Sequence, residues 1–229
     1  MMKKILLLHG AIGSAEQLTD LKNILSKNYE VHTLNFSGHG GKAYTREGFG
    51  IANFAKEVLQ YLDEKQINSI NIFGYSMGGY VGVYIAKHHP ERVEKLVTLA
   101  TKFYWDDAVA VKETGMLDSD KIAQKIPAFA KVLEERHQPN NWVEVLDKTK
   151  TMLLQMGNDN PLKIEDYSTI ETPVTILIGD RDKMVTLEET VNVYKALPNA
   201  QMGMLTNCHH PIEQSNIQQL AFIINSFVG

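Results

Sequence analysis

The sequence predicts an α/β fold: a mostly parallel sheet with helices on both faces, carrying a helical insertion. Two observations support this. Short apolar runs alternate with longer segments of helical period, the pattern of βαβ units around a sheet buried on both sides. One stretch, residues 101–166, interrupts that alternation with helical patterning alone. At 229 residues the chain is long enough for one core with a modest insertion.

The elements follow in order. Residues 5–8 are the apolar run Ile5-Leu6-Leu7-Leu8, read as a buried strand. Lys3 and Lys4 precede it, but a secretory signal needs about 7–15 apolar residues and then a cleavage site, and this run stops at His9-Gly10. A helical pattern at 14–26 leads to a second run at 31–36, and another at 48–65 leads to a third at 70–73. The helix expected at 77–88 ends beside His88, His89 and Pro90, and the run at 96–99 follows. Within 101–166 the helical pattern is interrupted at Pro127, Pro139 and Pro161. Trp105, Trp142, Met116, Met152 and Met156 make this segment too apolar to be disordered, and packing against the main domain is the expected use of these side chains. The runs at 174–178 and, more weakly, 201–205 complete the sheet, with helices expected at 187–196 and 212–227. The division is therefore a core of residues 1–100 and 167–229 with an insertion of 101–166.

Composition narrows the class. A hydrophobic fraction of 44% and a charged fraction of 22% suit a soluble globular protein. The net charge of −4 argues against nucleic acid as a partner. No stretch approaches the roughly 20 apolar residues of a membrane span. The lone Cys208 has no internal disulfide partner, which fits a cytoplasmic protein. No histidine spacing suggests a metal site.

The strongest motif is Gly74-Tyr75-Ser76-Met77-Gly78, which follows the 70–73 run and opens the next helix. G-x-S-x-G in a strand–turn–helix setting is a nucleophile elbow, in which a strained turn lifts the serine hydroxyl above the sheet. Side chains at the two glycines would collide with the backbone where strand and helix meet. The helix N-terminus favours negative charge developing at Ser76.

At this point the chain resembles the α/β-hydrolase family over nearly its whole length. Residues 5–10 look like that family's third strand running into its His-Gly oxyanion loop, so the chain is similar to a minimal version without the first two strands. Residues 35–40, Asn-Phe-Ser-Gly-His-Gly, are similar to the family's Asp-x-Pro-Gly-His-Gly loop, with Asn35 and Ser37 departing from it. That loop's role in the family is mainly structural. The insertion sits where family members carry a cap.

The resemblance also implies an acid and a base, in the order serine, acid, histidine. Gly179-Asp180-Arg181-Asp182 resembles the family's Gly-x-x-Asp, which assigns the acid to Asp182; Asp180 is its competitor and is expected to bond locally in the turn. The base belongs in Thr206–Pro211, where both His209 and His210 stand. The family's Gly-His-x-Pro spacing favours His209. Pro211 favours His210, since it suits a first helical position and keeps the preceding residue extended. The backbone N–H groups of Ala11 and Met77 are the implied oxyanion donors. His9 is expected to steady its own loop, and His88 and His89 to suit a helix C-terminus as cations.

The expected function is a serine hydrolase, needing no cofactor, that cleaves an ester or thioester of a small or medium, largely apolar molecule. The aromatics Phe103, Tyr104, Trp105 and Trp142 suggest that substrate class. Alternatives are carbon–carbon bond hydrolysis or a lyase step by the same residues, or a low-turnover small-molecule receptor.

Overall fold

The computed structural model describes residues 2–229. Its centre is a six-stranded, wholly parallel sheet in the order β2-β1-β3-β4-β5-β6. The strands are β1 (Lys3–Leu8), β2 (Tyr29–Thr33), β3 (Ile70–Tyr75), β4 (Val93–Leu99), β5 (Val174–Gly179) and β6 (Ala200–Leu205). The chain passes outward from β1 to β2, then returns to β3 on the other side of β1. Open parallel sheets bind ligands at the carboxyl ends of the strands beside such a reversal. Here those ends carry His9-Gly10 and Ser76.

Alternation along each strand explains the layering. Leu6, Leu8, Ile70, Ile72, Leu96 and Ile176 face one helical layer, which includes α2 (Ile51–Glu64) and α3 (Met77–His88). Ile5, Leu7, Phe73, Val97 and Leu177 face the other side, where α1 (Thr19–Leu25) and the C-terminal helix lie. Successive strand residues point to opposite faces, so near-continuous apolar runs are what a doubly covered sheet requires.

The insertion between β4 and β5 contains α4 (Asp107–Thr114), α5 (Ser119–Lys125), α6 (Pro127–His137), α7 (Trp142–Asn158) and the short α8 (Ile164–Tyr167). Asp106, Asp118 and Asn141 cap α4, α5 and α7 by accepting N–H bonds from Val109, Lys121 and Val143. Pro127 starts α6 instead of interrupting a helix, because a first position has no N–H bond to lose. Met152 and Met156 pack into the main core as expected, whereas Met116 is exposed. Trp142 packs with Ile122, Leu133 and Leu146 in a small cluster of the insertion's own.

After β5 come α9 (Leu187–Ala196), β6 and α10 (Ile217–Val228). Several predicted boundaries move, three of them for a visible local reason. β2 ends at Thr33, because Leu34 and Phe36 bury their side chains from a loop instead of a ladder. The first helix splits into a 3-10 turn, Ala15–Leu18, and α1. The last begins as a separate turn, Ile212–Gln214, then restarts as α10 where Asn216 accepts the Gln219 N–H. Among the described residues no helix is long and apolar enough to cross a membrane.

Candidate active site

Ser76 joins β3 to α3 and has φ +51° and ψ −118°, a left-handed conformation that a non-glycine residue adopts only when its surroundings enforce it. They do so here by bonding both sides of its peptide. Its N–H donates to Leu99 O at 2.8 Å, and its carbonyl accepts from Gly79 N–H, Tyr80 N–H and Thr101 Oγ1. The flanking glycines are required by contact. A methyl at Gly78 would meet Leu8 O at 2.5 Å, and one at Gly74 would overlap the Gly79 backbone.

The loops after β5 and β6 supply the partners. Ser76 Oγ lies 3.3 Å from His210 Nε2, and His210 Nδ1 lies 2.9 Å from Asp182 Oδ2. The Asp182 side chain is buried and its other oxygen accepts the N–H groups of Met184 and Val185 at 2.8 and 2.9 Å. Burial opposes its charge, but the bonds from His210, Val185 and Met184 outweigh that, and its pKa falls below the ordinary value. Bonded on one side to a carboxylate, His210 presents its free nitrogen to the serine, the arrangement of a general base.

Of the two candidate histidines the structure brings His210 to Ser76; His209 has no side-chain hydrogen bond there. Pro211 stands one position before the helical turn, not in it, with extended ψ of 128°. The His210 carbonyl accepts the Tyr75 hydroxyl at 3.0 Å, which ties the base loop to the elbow. Asp180 does not bond locally. Its carboxylate accepts the Cys208 N–H at 2.9 Å, and Arg181 N–H donates to Cys208 O, so the acid loop holds the base loop directly.

The His9-Gly10 turn presses against the elbow: a methyl at Gly10 would lie 3.2 Å from Ser76 Cβ. The N–H groups of Ala11 and Met77 have no hydrogen-bond partner among the described residues. Two unpaired N–H groups beside a serine hydroxyl are what an oxyanion developing there would need.

Around this turn lies a histidine cluster in which His9 and His39 come from the two loop motifs and His137, from the insertion, is marked by none. His9 accepts the Phe36 N–H on Nε2 and donates from Nδ1 to Gly10 O, steadying its loop as expected. His39 lies between His9 and His137, with ring centroids 5.2 and 5.8 Å away. Burial drives the pKa values of His9 and His137 down to about 4. A folded-state value below 6.5 means that the unfolded chain takes up more protons between about pH 6.5 and 4. The contribution to stability is therefore complete above that window and lost as pH falls through it. The melting temperature is expected to drop across the window, and less steeply in His137→Gln; equal slopes would refute the assignment. His88, expected as a cation, is instead disfavoured as one by partial burial and by Lys87.

A cleft of about 1010 Å³ opens between the insertion and α9. Phe103, Tyr104 and Trp105 line it, but Trp142, Ser76 and His210 do not. The four aromatics are thus not gathered over the serine. Apolar surface of the insertion does approach the turn after His9-Gly10, where Ile12 packs against the cluster of Ile122, Leu133 and Leu146, as Leu117, Phe129 and Trp142 also do.

Comparison with known proteins agrees with this architecture. A family model described as alpha/beta hydrolase fold matches residues 3–133. The pimeloyl-acyl-carrier-protein methyl ester esterase of Neisseria meningitidis serogroup B is 31% identical, over 99% of this chain and 93% of that one. A monoacylglycerol lipase of Mus musculus is 23% identical, over 98% of this chain and 75% of that one. Among solved structures, the enol-lactonase of Burkholderia xenovorans LB400 superimposes with a TM-score of 0.78 at 18% identity, covering 100% of this chain and 92% of the other. The chain is a hydrolase-type α/β protein by these likenesses, and it belongs to the α/β-hydrolase fold family.

Proposed function

We propose that the chain is a serine hydrolase cleaving a carboxylic ester or thioester of a small or medium, largely apolar substrate through an acyl-enzyme on Ser76. The observation that carries this reading is the unbroken hydrogen-bond path Ser76–His210–Asp182. Ser76 Oγ attacks the carbonyl carbon while His210 Nε2 takes its proton. Asp182 holds the imidazole and stabilises its charged form. The carbonyl oxygen gains negative charge and is met by the N–H groups of Ala11 and Met77. Collapse expels the alcohol or thiol, which receives the proton from His210. Water then attacks the acyl-enzyme by the same route and releases the acid. Residues 101–166 act as a cap over the core of 1–100 and 167–229, and the insertion's apolar cluster of Ile122, Leu133 and Leu146, against which Ile12 packs, favours an apolar acyl or alcohol group.

Relatives named as a methyl ester esterase and a monoacylglycerol lipase support ester cleavage. The reading is tested by treating the folded protein with a fluorophosphonate and locating the adduct by mass spectrometry. The expected result is one adduct, on Ser76, with fluoride displaced. A folded protein that takes no label and turns over no ester in a chain-length panel would overturn it, and tight binding without turnover would point to a receptor.

A further inference from the structure

The Ala11 donor belongs to a turn that cannot hold its own shape. Gly13 N–H donates to Gly10 O at 3.2 Å, which makes Ala11 and Ile12 the central residues of a tight turn. Ile12 has φ +52° at the position where such turns ordinarily take glycine or asparagine, and its β-branched side chain makes that conformation especially unfavourable. Something outside the turn must enforce it.

Two adjacent residues at the end of α6, on the insertion, reach it. Arg136 Nη1 and His137 Nε2 both donate to Ile12 O, each at 3.1 Å. His137 is itself fixed, because its Nδ1 accepts the Gly40 N–H at 3.2 Å and it is fully buried. That acceptor role leaves the ring proton on Nε2, where the bond to Ile12 needs it. Arg136 also extends Nη2 to Glu213 at 3.4 Å, in the turn just beyond His210. One end of α6 therefore grips the loop bearing the oxyanion donor and the segment bearing the base.

We infer that Arg136 and His137 are positioning residues for catalysis: they clamp the Ile12 carbonyl and so hold the Ala11 N–H where the oxyanion forms. The inference rests on the serine-hydrolase reading. The insertion then completes the site as well as covering it, and a displaced α6 releases the turn and weakens the oxyanion site.

The test compares wild type with Arg136→Ala, His137→Ala and His137→Gln on a p-nitrophenyl ester, with active sites counted by fluorophosphonate. Affinity for an alkyl trifluoromethyl ketone is measured in parallel, since its adduct with Ser76 places an oxyanion in the hole. Arg136→Ala is expected to lower kcat per labelled site about 10-fold, with KM within about twofold, and to weaken the ketone by about the same factor as kcat. His137→Ala should behave alike. His137→Gln keeps an N–H near the Nε2 position and should recover most of the loss. Lys131→Ala, on the exposed face of α6, should change nothing. A merely structural role would reduce the number of labelled sites and leave kcat per site and ketone affinity intact, which would overturn the clamp. If buried His137→Ala does not fold, the partly exposed Arg136→Ala decides alone. Absence of both labelling and turnover in wild type would instead overturn the hydrolase reading, before any variant is compared.

Discussion

Ser76→Ala is expected to lower kcat on a p-nitrophenyl ester by about 10⁴-fold or more while the melting temperature stays within a few degrees of wild type. The chemical reason is that no other hydroxyl occupies the end of the His210–Asp182 path. What remains is an oxyanion site and a base, which can only assist direct attack by water. The structural reason is that the elbow does not depend on the hydroxyl. The φ of +51° is held by the Ser76 N–H bond to Leu99 and by three donors on its carbonyl, all of which alanine retains. The removed Oγ has one hydrogen bond, to a partly exposed histidine that water can reach. Kinetics and thermal melting on the same preparation check both halves. Activity within about 10-fold of wild type would rule out Ser76 as the nucleophile.

The parts of the site that were legible in the sequence are those whose chemistry is local. The glycines at 74 and 78 are demanded by backbone contacts within a few residues of the turn or on the adjoining strand, so their spacing survives in the sequence as a pattern. Strand layering was legible for a similar reason, since an apolar run such as 5–8 is buried on both faces wherever it sits in a parallel sheet. The end of β2 was not, because Leu34 and Phe36 are as apolar in a buried loop as in a ladder. The role of Asp180 is not legible locally, because its partner, the Cys208 N–H, is 28 positions away. Arg136 and His137 carried no signal at all. Their target is a backbone carbonyl more than 120 positions distant, and any residue in place of Ile12 would offer the same atom.

The second large effect separates two neighbouring histidines. His210→Ala is expected to cost about 10⁴-fold or more in kcat, whereas His209→Ala should stay within about 10-fold of wild type. Composition could not divide the pair, because adjacent side chains on one loop differ only in the direction they point. That direction is set by long-range bonds. Asp180 and Arg181 pin Cys208 on one side, and the Tyr75 hydroxyl holds the His210 carbonyl on the other. Between those anchors the His210 ring spans Asp182 and Ser76, with both nitrogens engaged. His209→Ala therefore removes a side chain that hydrogen-bonds to neither group. A further control follows from the acid. Asp182→Asn keeps the shape but presents an amide that cannot stabilise a charged imidazole, and a fall of about 10⁴-fold is expected there too. If His209→Ala were the variant that lost activity, the loop would have to turn over in solution, and the Tyr75–His210 and Asp180–Cys208 bonds would be the first to break.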